Sequence, residues 1–334
     1  MNKKNLITSQ ENLARIFLLF ATALWGMSFP IVKALRSEFY CAPASEFTQS
    51  AAFVFFRFFL SFVAFTLWVV LWKKPGKLLL KISKKEFFMG AAIGIVGGMG
   101  LLFQGDGLAF TDTSTSAFLT QMTCILVPLI TFLRGRRRLS GLFNLALLIG
   151  FTGIYLISGL ELSQLRLGRG EAETLIAAVF FTAQILLLES KRWGHLVTTG
   201  STWVMFLFFA LVNLPFFNWS HFCIGASPNA SVGVLLFFSG VLVVFCSLLP
   251  YALMNLWQAK ISGTEATFIY SLEAIFTIGF NFIWIPILFQ LGGYQLELEV
   301  PSLKFSVGAL FLILANVFLF AESYLRAKKG VWKI

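Results

Sequence analysis

The sequence is short of charge, of cysteine and above all of histidine. Of its 334 residues only 12% are charged, with 15 acidic side chains against 26 basic ones. So small a supply cannot cover a globule of this size with polar groups, which argues against a soluble domain. The four cysteines, Cys41, Cys124, Cys223 and Cys246, include no Cys-x-x-Cys pair and no histidines at ligand spacing. That removes a disulfide framework and a zinc site, and the cysteines read as structural residues. No P-loop, His-Glu-x-x-His, Gly-x-Ser-x-Gly or glycine-rich nucleotide fingerprint occurs. ATP-driven transport and hydrolytic chemistry therefore lack support, and no catalytic residue, metal or cofactor is expected.

What the chain has in excess is apolar: 58% hydrophobic residues, 40 phenylalanines and a mean hydropathy of +0.83. A core of this size cannot bury so much, so the surplus must face lipid. A helix needs roughly 20 apolar residues to cross the hydrocarbon. Ten runs qualify, near residues 15–35, 52–72, 86–110, 113–133, 142–159, 170–189, 198–217, 232–256, 263–286 and 305–325. Irregular or edge-exposed backbone would leave peptide groups unpaired in lipid, which predicts helices for all ten. The first run has no small-residue cleavage motif and reads as a retained span, not a removed signal peptide.

A net charge of +11 could indicate nucleic acid as a partner, but the basic residues are not spread over a polar surface. They cluster between spans on one set of alternating connections: before span one, after spans two, four, six and eight, and in the tail. The other set holds Lys33, Arg36, Arg166, Arg169 and Lys304, and Arg57 lies inside span two. This asymmetry predicts cytoplasmic termini in a cytoplasmic (inner) membrane of bacterial type, with the bilayer and not nucleic acid as surroundings.

The chain echoes itself at an offset of 150 residues. Ser114, Ser116, Phe118, Leu119, Met122 and Ile125 pair with Thr264, Ala266, Phe268, Ile269, Leu272 and Ile275, and Trp25 faintly echoes Phe180. A repeat of five spans is odd, so the second copy enters the membrane from the opposite side. The expected architecture is an all-α membrane protein of ten transmembrane helices in two inverted five-helix repeats, residues 1–160 and 161–334. Halves so related can rock about a central site, as transporters do.

Several segments resemble the drug/metabolite transporter superfamily, EamA type. Thr111-Asp112-Thr113-Ser114-Thr115-Ser116-Ala117-Phe118-Leu119-Thr120 is similar to its short turn and fourth helix, and Ala23-Leu24-Trp25-Gly26 to its first-helix motif. Arg57-Phe58, Gln104 with Gly107-Leu108, and Gly308-Ala309-Leu310 resemble parts of helices two, three and ten. Thr264 to Glu273 resembles the ninth helix, except that Ala274 stands where a proline usually follows the Glu. The resemblance runs from Ala21 to about Leu325. It implies a ten-helix basket with a cavity lined by helices 1, 3, 4, 6, 8 and 9, in a family whose members carry amino acids, sugar phosphates, nucleotide-type metabolites or drugs. The stretch from Phe289 to Leu303, with Glu297, Glu299 and Pro301, is longer than the family's usual link.

The candidate substrate-binding residues are Trp25, Phe29, Gln104, Asp106, Thr120, Gln121, Gln184, Tyr251, Asn255, Tyr270 and Glu273. An ionisable group near the bilayer centre costs about 2.5–3.5 kcal/mol on insertion scales, so Glu273 ranks first. It binds a cationic group or a coupling proton, or else caps and braces neighbouring helices. Tyr270, three residues earlier, shares its face. Asp106 sets substrate preference or satisfies donors of the turn at Thr113 to Thr115; Arg57 neutralises Asp106, binds an anionic group or snorkels. Thr120, Gln121, Gln184, Tyr251 and Asn255 hydrogen-bond a solute or a neighbouring helix. Trp25 and Phe29, four apart on one helix face, stack a planar ligand or simply pack. Pro30, Pro128, Pro215, Pro250 and Pro286 are candidate hinges, and Gly94, Gly97, Gly98 and Gly100 a face for close helix contact.

Together these features predict a secondary transporter or exchanger of a small organic metabolite, either an amino acid or a nucleoside-type solute such as S-adenosylmethionine. Its coupling partner is a proton or a counter-substrate, and the protein works as a monomer or homodimer. The competing classes are a membrane-embedded lipid-handling enzyme and a non-transporting scaffold. For the enzyme class, acidic residues and histidines would cluster at one interface, whereas His195 and His221 are predicted on opposite sides.

Overall fold

The computed structural model describes residues 3–35, 45–72, 82–111, 113–135, 140–158, 167–189, 196–218, 231–298 and 300–329. Cys41, Cys223, His195, His221, Asp112, Glu299 and many basic loop residues, among them Lys73, Lys74, Arg136, Arg137, Lys191 and Arg192, lie outside the described residues. The described residues form helices and no strand. They are α1 (Lys3–Leu35), α2 (Glu46–Trp72), α3 (Lys84–Gly107), α4 (Thr113–Thr120), α5 (Thr123–Leu133), α6 (Gly141–Ser158) and α7 (Arg169–Glu189). There follow α8 (Thr199–Leu211), α9 (Val232–Val243), α10 (Leu249–Trp257), α11 (Gly263–Ser271), α12 (Glu273–Gly292) and α13 (Leu303–Lys329). Among the described residues nine helical stretches are long and apolar enough to cross a membrane, and Phe118–Leu133 is a shorter apolar helix. The protein is an integral, multi-pass, all-α membrane protein.

Helix starts follow local chemistry. Ser83 accepts from the Glu86 backbone N–H (3.2 Å) while the Glu86 carboxylate accepts from the Ser83 N–H (2.8 Å), a reciprocal cap that satisfies two otherwise orphaned donors. Ser231 and Ser262 cap α9 and α11 in the simpler one-sided way. On the outside of the bundle Ile16, Leu67, Phe88, Leu148, Val179, Leu236, Ile283 and Leu310 are exposed. In a soluble protein this would be a liability; here it is the surface that meets lipid.

Lipid tails are as apolar as leucine, so helices gain little by merely hiding hydrophobic groups from them. Close approach and hydrogen bonds hold the bundle together instead. The glycines of α3 act in this way: a Cβ at Gly94 would stand 2.6 Å from the Met205 carbonyl oxygen of α8, and one at Gly100 2.6 Å from the Phe181 ring of α7. Between α6 and α13 the backbones meet at Gly153 and Gly308, where a Cβ on either would stand 2.7–2.8 Å from the other's carbonyl oxygen. The most extensive packing runs between the first and second halves of the chain: α6 on α13, α3 on α8 and α7, and α1 on α12. Side chains add cross-links, including Trp203 Nε1 to Thr66 Oγ1 (2.8 Å) and Asn316 Nδ2 to the Phe268 carbonyl (3.0 Å).

Two spans that read as continuous in the sequence are broken, and the breaks match. At the first, Met122 N–H donates to the Leu119 carbonyl (3.1 Å) and Ile125 N–H to that of Met122 (2.9 Å). At the second, Leu272 N–H donates to Ile269 (3.1 Å) and Ile275 N–H to Leu272 (3.0 Å), the same pattern 150 residues later. These three-residue steps tighten the chain and separate α4 from α5 and α11 from α12. Neither break contains a proline. The candidate hinges are therefore corrected in part: α1, α5 and α12 run on through Pro30, Pro128 and Pro286. Pro215 lies in a short turn of 3₁₀-helix after α8, and Pro250 follows a π-turn at Val244–Leu248. The stretch after Phe289 is also shorter as a loop than its sequence suggests, because α12 continues to Gly292 and ends on Gly293 in the left-handed region (φ 68°).

Candidate functional site

Residues at both helix breaks, Gln121 and Glu273 among them, line an internal hollow. A cavity of about 190 Å³ is walled by Trp25, Phe29, Arg57, Gln104, Thr120, Gln121, Gln184, Tyr251, Tyr270 and Glu273, among others. A second, of about 470 Å³, shares Phe29, Gln104, Leu108, Thr120, Gln121 and Glu273 and extends past Ser116, Ser158, Ser271 and Thr277. Glu273 and its neighbours thus stand between two adjoining chambers.

Glu273 is the first residue of α12, where the positive end of the helix dipole favours an anion. Among the described residues its carboxylate makes no hydrogen bond or ion pair. Arg57, from α2, lines the same smaller cavity and has no carboxylate partner among the described residues. Its Nε donates to Ser247 Oγ (2.5 Å) and its Nη2 to the Cys246 carbonyl (2.8 Å), both in the π-turn. Pro250 explains that contact. A regular helix would satisfy the Cys246 carbonyl with the N–H of residue 250, which proline lacks. Arg57 supplies the missing donor, so the expectation that it neutralises Asp106 is corrected.

The wall is aromatic on one side: the Trp25 ring stands 5.1 Å from that of Tyr251 and 5.3 Å from that of Tyr270. Among the described residues Trp25 Nε1 and Gln184 Nε2 are buried without a hydrogen-bond partner, which is uncommon for polar groups so enclosed. Gln104 Nε2 reaches Thr120 Oγ1 at 3.3 Å, which links the end of α3 to the end of α4. The Tyr270 hydroxyl is already engaged, donating to Gln258 Oε1 (2.8 Å); Gln258 Nε2 in turn donates to the Ile185 carbonyl (3.0 Å). What Tyr270 offers the cavity is chiefly its ring.

Asp106 and Asn255 are absent from both cavity walls. Asp106 is fully buried and accepts from Arg169 Nη2 at 2.7 Å, tying the end of α3 to the start of α7; Arg169 also holds Glu173 (2.8 Å) and lies over the Phe110 ring. Arg169 holds the Oδ2 of Asp106, whose Oδ1 has no hydrogen-bond partner among the described residues, so the expected bonds to the turn at Thr113 to Thr115 are not seen there. Asn255 Nδ2 donates to Thr202 Oγ1 (2.6 Å) and joins α10 to α8.

The two faces of the bundle are closed by different contacts. On the face carrying the start of α1 and the end of α13, Arg15 Nε meets Glu265 Oε1 at 2.7 Å, and Phe17 packs on Trp257 with ring centroids 4.6 Å apart. Tyr270, on the same helix as Glu265, lines the cavity and belongs to the Tyr270–Gln258–Ile185 chain of hydrogen bonds. On the opposite face Thr111 Oγ1 donates to Glu171 (2.5 Å) and Ser116 bonds Thr174 (3.3 Å). The reading from sequence passed over Gln258 and Glu265. Gln258 carried a signal, since it lies three residues beyond Asn255 and so near the same helix face; Glu265 carried no local signal, because its partner Arg15 lies 250 residues away.

Among the described residues nine membrane-length helical stretches and one shorter apolar helix, two of the spans broken, surround an internal hollow, an arrangement that many transporters use. Residues 12–159 match the EamA-like transporter family. An uncharacterized transporter of Archaeoglobus fulgidus is 27% identical over 270 residues, covering 79% of this chain and 75% of that protein. A crystal structure of a protein 13% identical in sequence overlays 92% of this chain and 97% of its own with a TM-score of 0.62, a likeness of fold alone. Residues 12–159 thus carry an EamA-like transporter domain, consistent with the drug/metabolite transporter superfamily.

Proposed function

We propose that the protein is a secondary transporter or exchanger that carries a small cationic or zwitterionic metabolite, an amino acid or a nucleoside-type solute such as S-adenosylmethionine. The observation that carries this reading is Glu273, a carboxylate with no hydrogen-bond or ion-pair partner among the described residues, at a helix start between two cavities. A cationic group on the solute, or a coupling proton, supplies the missing charge. Trp25, Tyr251 and Tyr270 form an aromatic wall suited to a cation or a planar group.

Residues 1–160 and 161–334 act as inverted halves that rock about this hollow. The equivalent breaks at Met122 and Leu272 favour that reading, since each half then contributes one discontinuous helix to the site. The driving force is a proton or counter-substrate gradient, in a bacterial-type cytoplasmic membrane with both termini on the cytoplasmic side. The protein performs no chemistry on its cargo and acts as a monomer or homodimer.

The test is counterflow into proteoliposomes preloaded with amino acids or S-adenosylmethionine. The reading expects accumulation of labelled solute by the wild type and a loss of about tenfold or more in Glu273→Gln, the scale of one charge-assisted interaction. Unchanged kinetics in a well-folded Glu273→Gln protein would reject the role of Glu273.

A further inference from the structure

We infer that Arg57 is a specificity-determining residue that recognises an anionic group, carboxylate or phosphate, on the carried solute, so that the solute must bear charges of both signs. The inference deepens the transport reading and rests on it. Arg57 and Glu273 line one small cavity without forming an ion pair with each other. Each is a charge inside a membrane span, a placement that is costly and rarely found without a partner. Among the described residues Glu273 has no hydrogen-bond or ion-pair partner. Arg57 has only neutral acceptors among them, the Ser247 hydroxyl and the Cys246 carbonyl.

Neutral acceptors leave two capacities unused. No carboxylate among the described residues lies within ion-pair distance of the guanidinium, and its Nη1 makes no hydrogen bond among them. A guanidinium presents its donors in a planar fork that matches a carboxylate or phosphate with two parallel bonds, shorter and about twice as strong as neutral ones. An anion arriving in the cavity therefore completes the fork at Nη1 and competes for Nη2. Competition at Nη2 reaches the backbone, because that nitrogen satisfies the carbonyl that Pro250 leaves unpaired. Recognition at Arg57 is thereby joined to the π-turn between α9 and α10, a segment of the cavity wall that includes Tyr251 after the turn. A merely structural Arg57, present only to satisfy the Cys246 carbonyl, would not distinguish solutes by their anionic group.

Matched pairs of probes differing only in that group provide the test, with binding measured by thermal shift and titration on the purified full-length protein. Methionine is set against 3-(methylthio)propylamine, arginine against agmatine, and S-adenosylmethionine against its decarboxylated form; phosphocholine against choline distinguishes phosphate from carboxylate. The proposal expects the wild type to prefer the anion-bearing member of at least one pair by about tenfold or more. It expects Arg57→Gln to erase that preference and Arg57→Lys to restore part of it. If Arg57→Gln does not fold, Ser247→Ala decides: it keeps the guanidinium and frees its Nε, so the anion-bearing member should bind at least as tightly as to wild type. Equal binding of both members by the wild type, preference for the amine, or a preference surviving in Arg57→Gln each overturns the proposal. So does a wild type that binds no member of the panel. Counterflow of amines with no regard to the anionic group would overturn it while leaving the transport reading intact.

Discussion

Arg15 in α1 and Glu265 in α11 stand 2.7 Å apart although 250 residues separate them, and their ion pair ties the first half of the chain to the second at one face of the bundle. Glu265 is 3% exposed and Arg15 15%. Asn12 Oδ1 accepts from Arg15 Nη1 at 2.6 Å, so the guanidinium is held on two sides. On the helix of Glu265, Tyr270 lines the cavity and bonds Gln258. Any opening toward this face has to part these two residues.

Neutralising Glu265 removes the short partner of Arg15 and leaves it, among the described carboxylates, only the more distant Glu11 at 4.0 Å. Glu265→Gln is therefore expected to lower stability by about 1–3 kcal/mol, the cost of an unsatisfied charged hydrogen bond. Thermal unfolding in detergent would measure it. The reversed pair Arg15→Glu/Glu265→Arg should recover part of the loss, with a coupling of about 0.5–3 kcal/mol in a double-mutant cycle. Strictly additive effects would mean that the two side chains do not sense one another.

Pro250 and Arg57 should be coupled in the same quantitative sense. Pro250→Ala restores a backbone donor for the Cys246 carbonyl, which makes Arg57 partly dispensable to the fold. Arg57→Gln is expected to cost less stability in the Pro250→Ala background than in wild type, by about 0.5 kcal/mol or more. An equal cost in both backgrounds would show that the Arg57 contact does not compensate for the proline.

Close backbone contact at Gly153 and Gly308 should tolerate no side chain. A Cβ at Gly153 would lie 2.8 Å from the Gly308 oxygen and 2.9 Å from the Leu312 nitrogen, both backbone atoms with little freedom to move aside. Gly153→Val should destabilise by about 1–3 kcal/mol, as overpacking does elsewhere. Gly240 is the control. A Cβ there meets nothing within 4 Å, so Gly240→Ala should be neutral or stabilise α9 by up to about 1 kcal/mol. Equal losses at both sites in thermal unfolding would contradict the packing account.

Most of the spans were legible because lipid imposes one crude rule, a long apolar run, and the runs near 141–158 and 169–189 fall within a residue or two of their predicted limits. The break at Leu272 was not legible, since no proline or glycine marks it. It comes from three-residue hydrogen bonds in an apolar sequence, and only the echo with Met122 hinted that the place was special. Site residues divided along similar lines. Glu273, Trp25 and Gln121 stood out as polar or bulky residues on helices expected to face inward, and they line the cavity. Asp106 and Asn255 carried an equally strong polar signal but were claimed by Arg169 and Thr202, partners that lie far off in sequence. Sequence reports that a polar group must be satisfied inside a membrane; it does not report by whom.

The central claim, that the hollow opens to one side at a time, is tested by thiol labelling in a background lacking the native cysteines. Gln104→Cys lies in the cavity wall and Gln258→Cys in the buried layer beneath it. The account predicts that an impermeant reagent labels position 104 from one side of the membrane while position 258 stays protected. Adding Glu265→Gln should expose position 258 from the other side and slow labelling at 104. Simultaneous labelling of both positions from one side would reveal a continuous pore, and unchanged labelling of both in Glu265→Gln would deny the Arg15–Glu265 pair any part in closing the cavity.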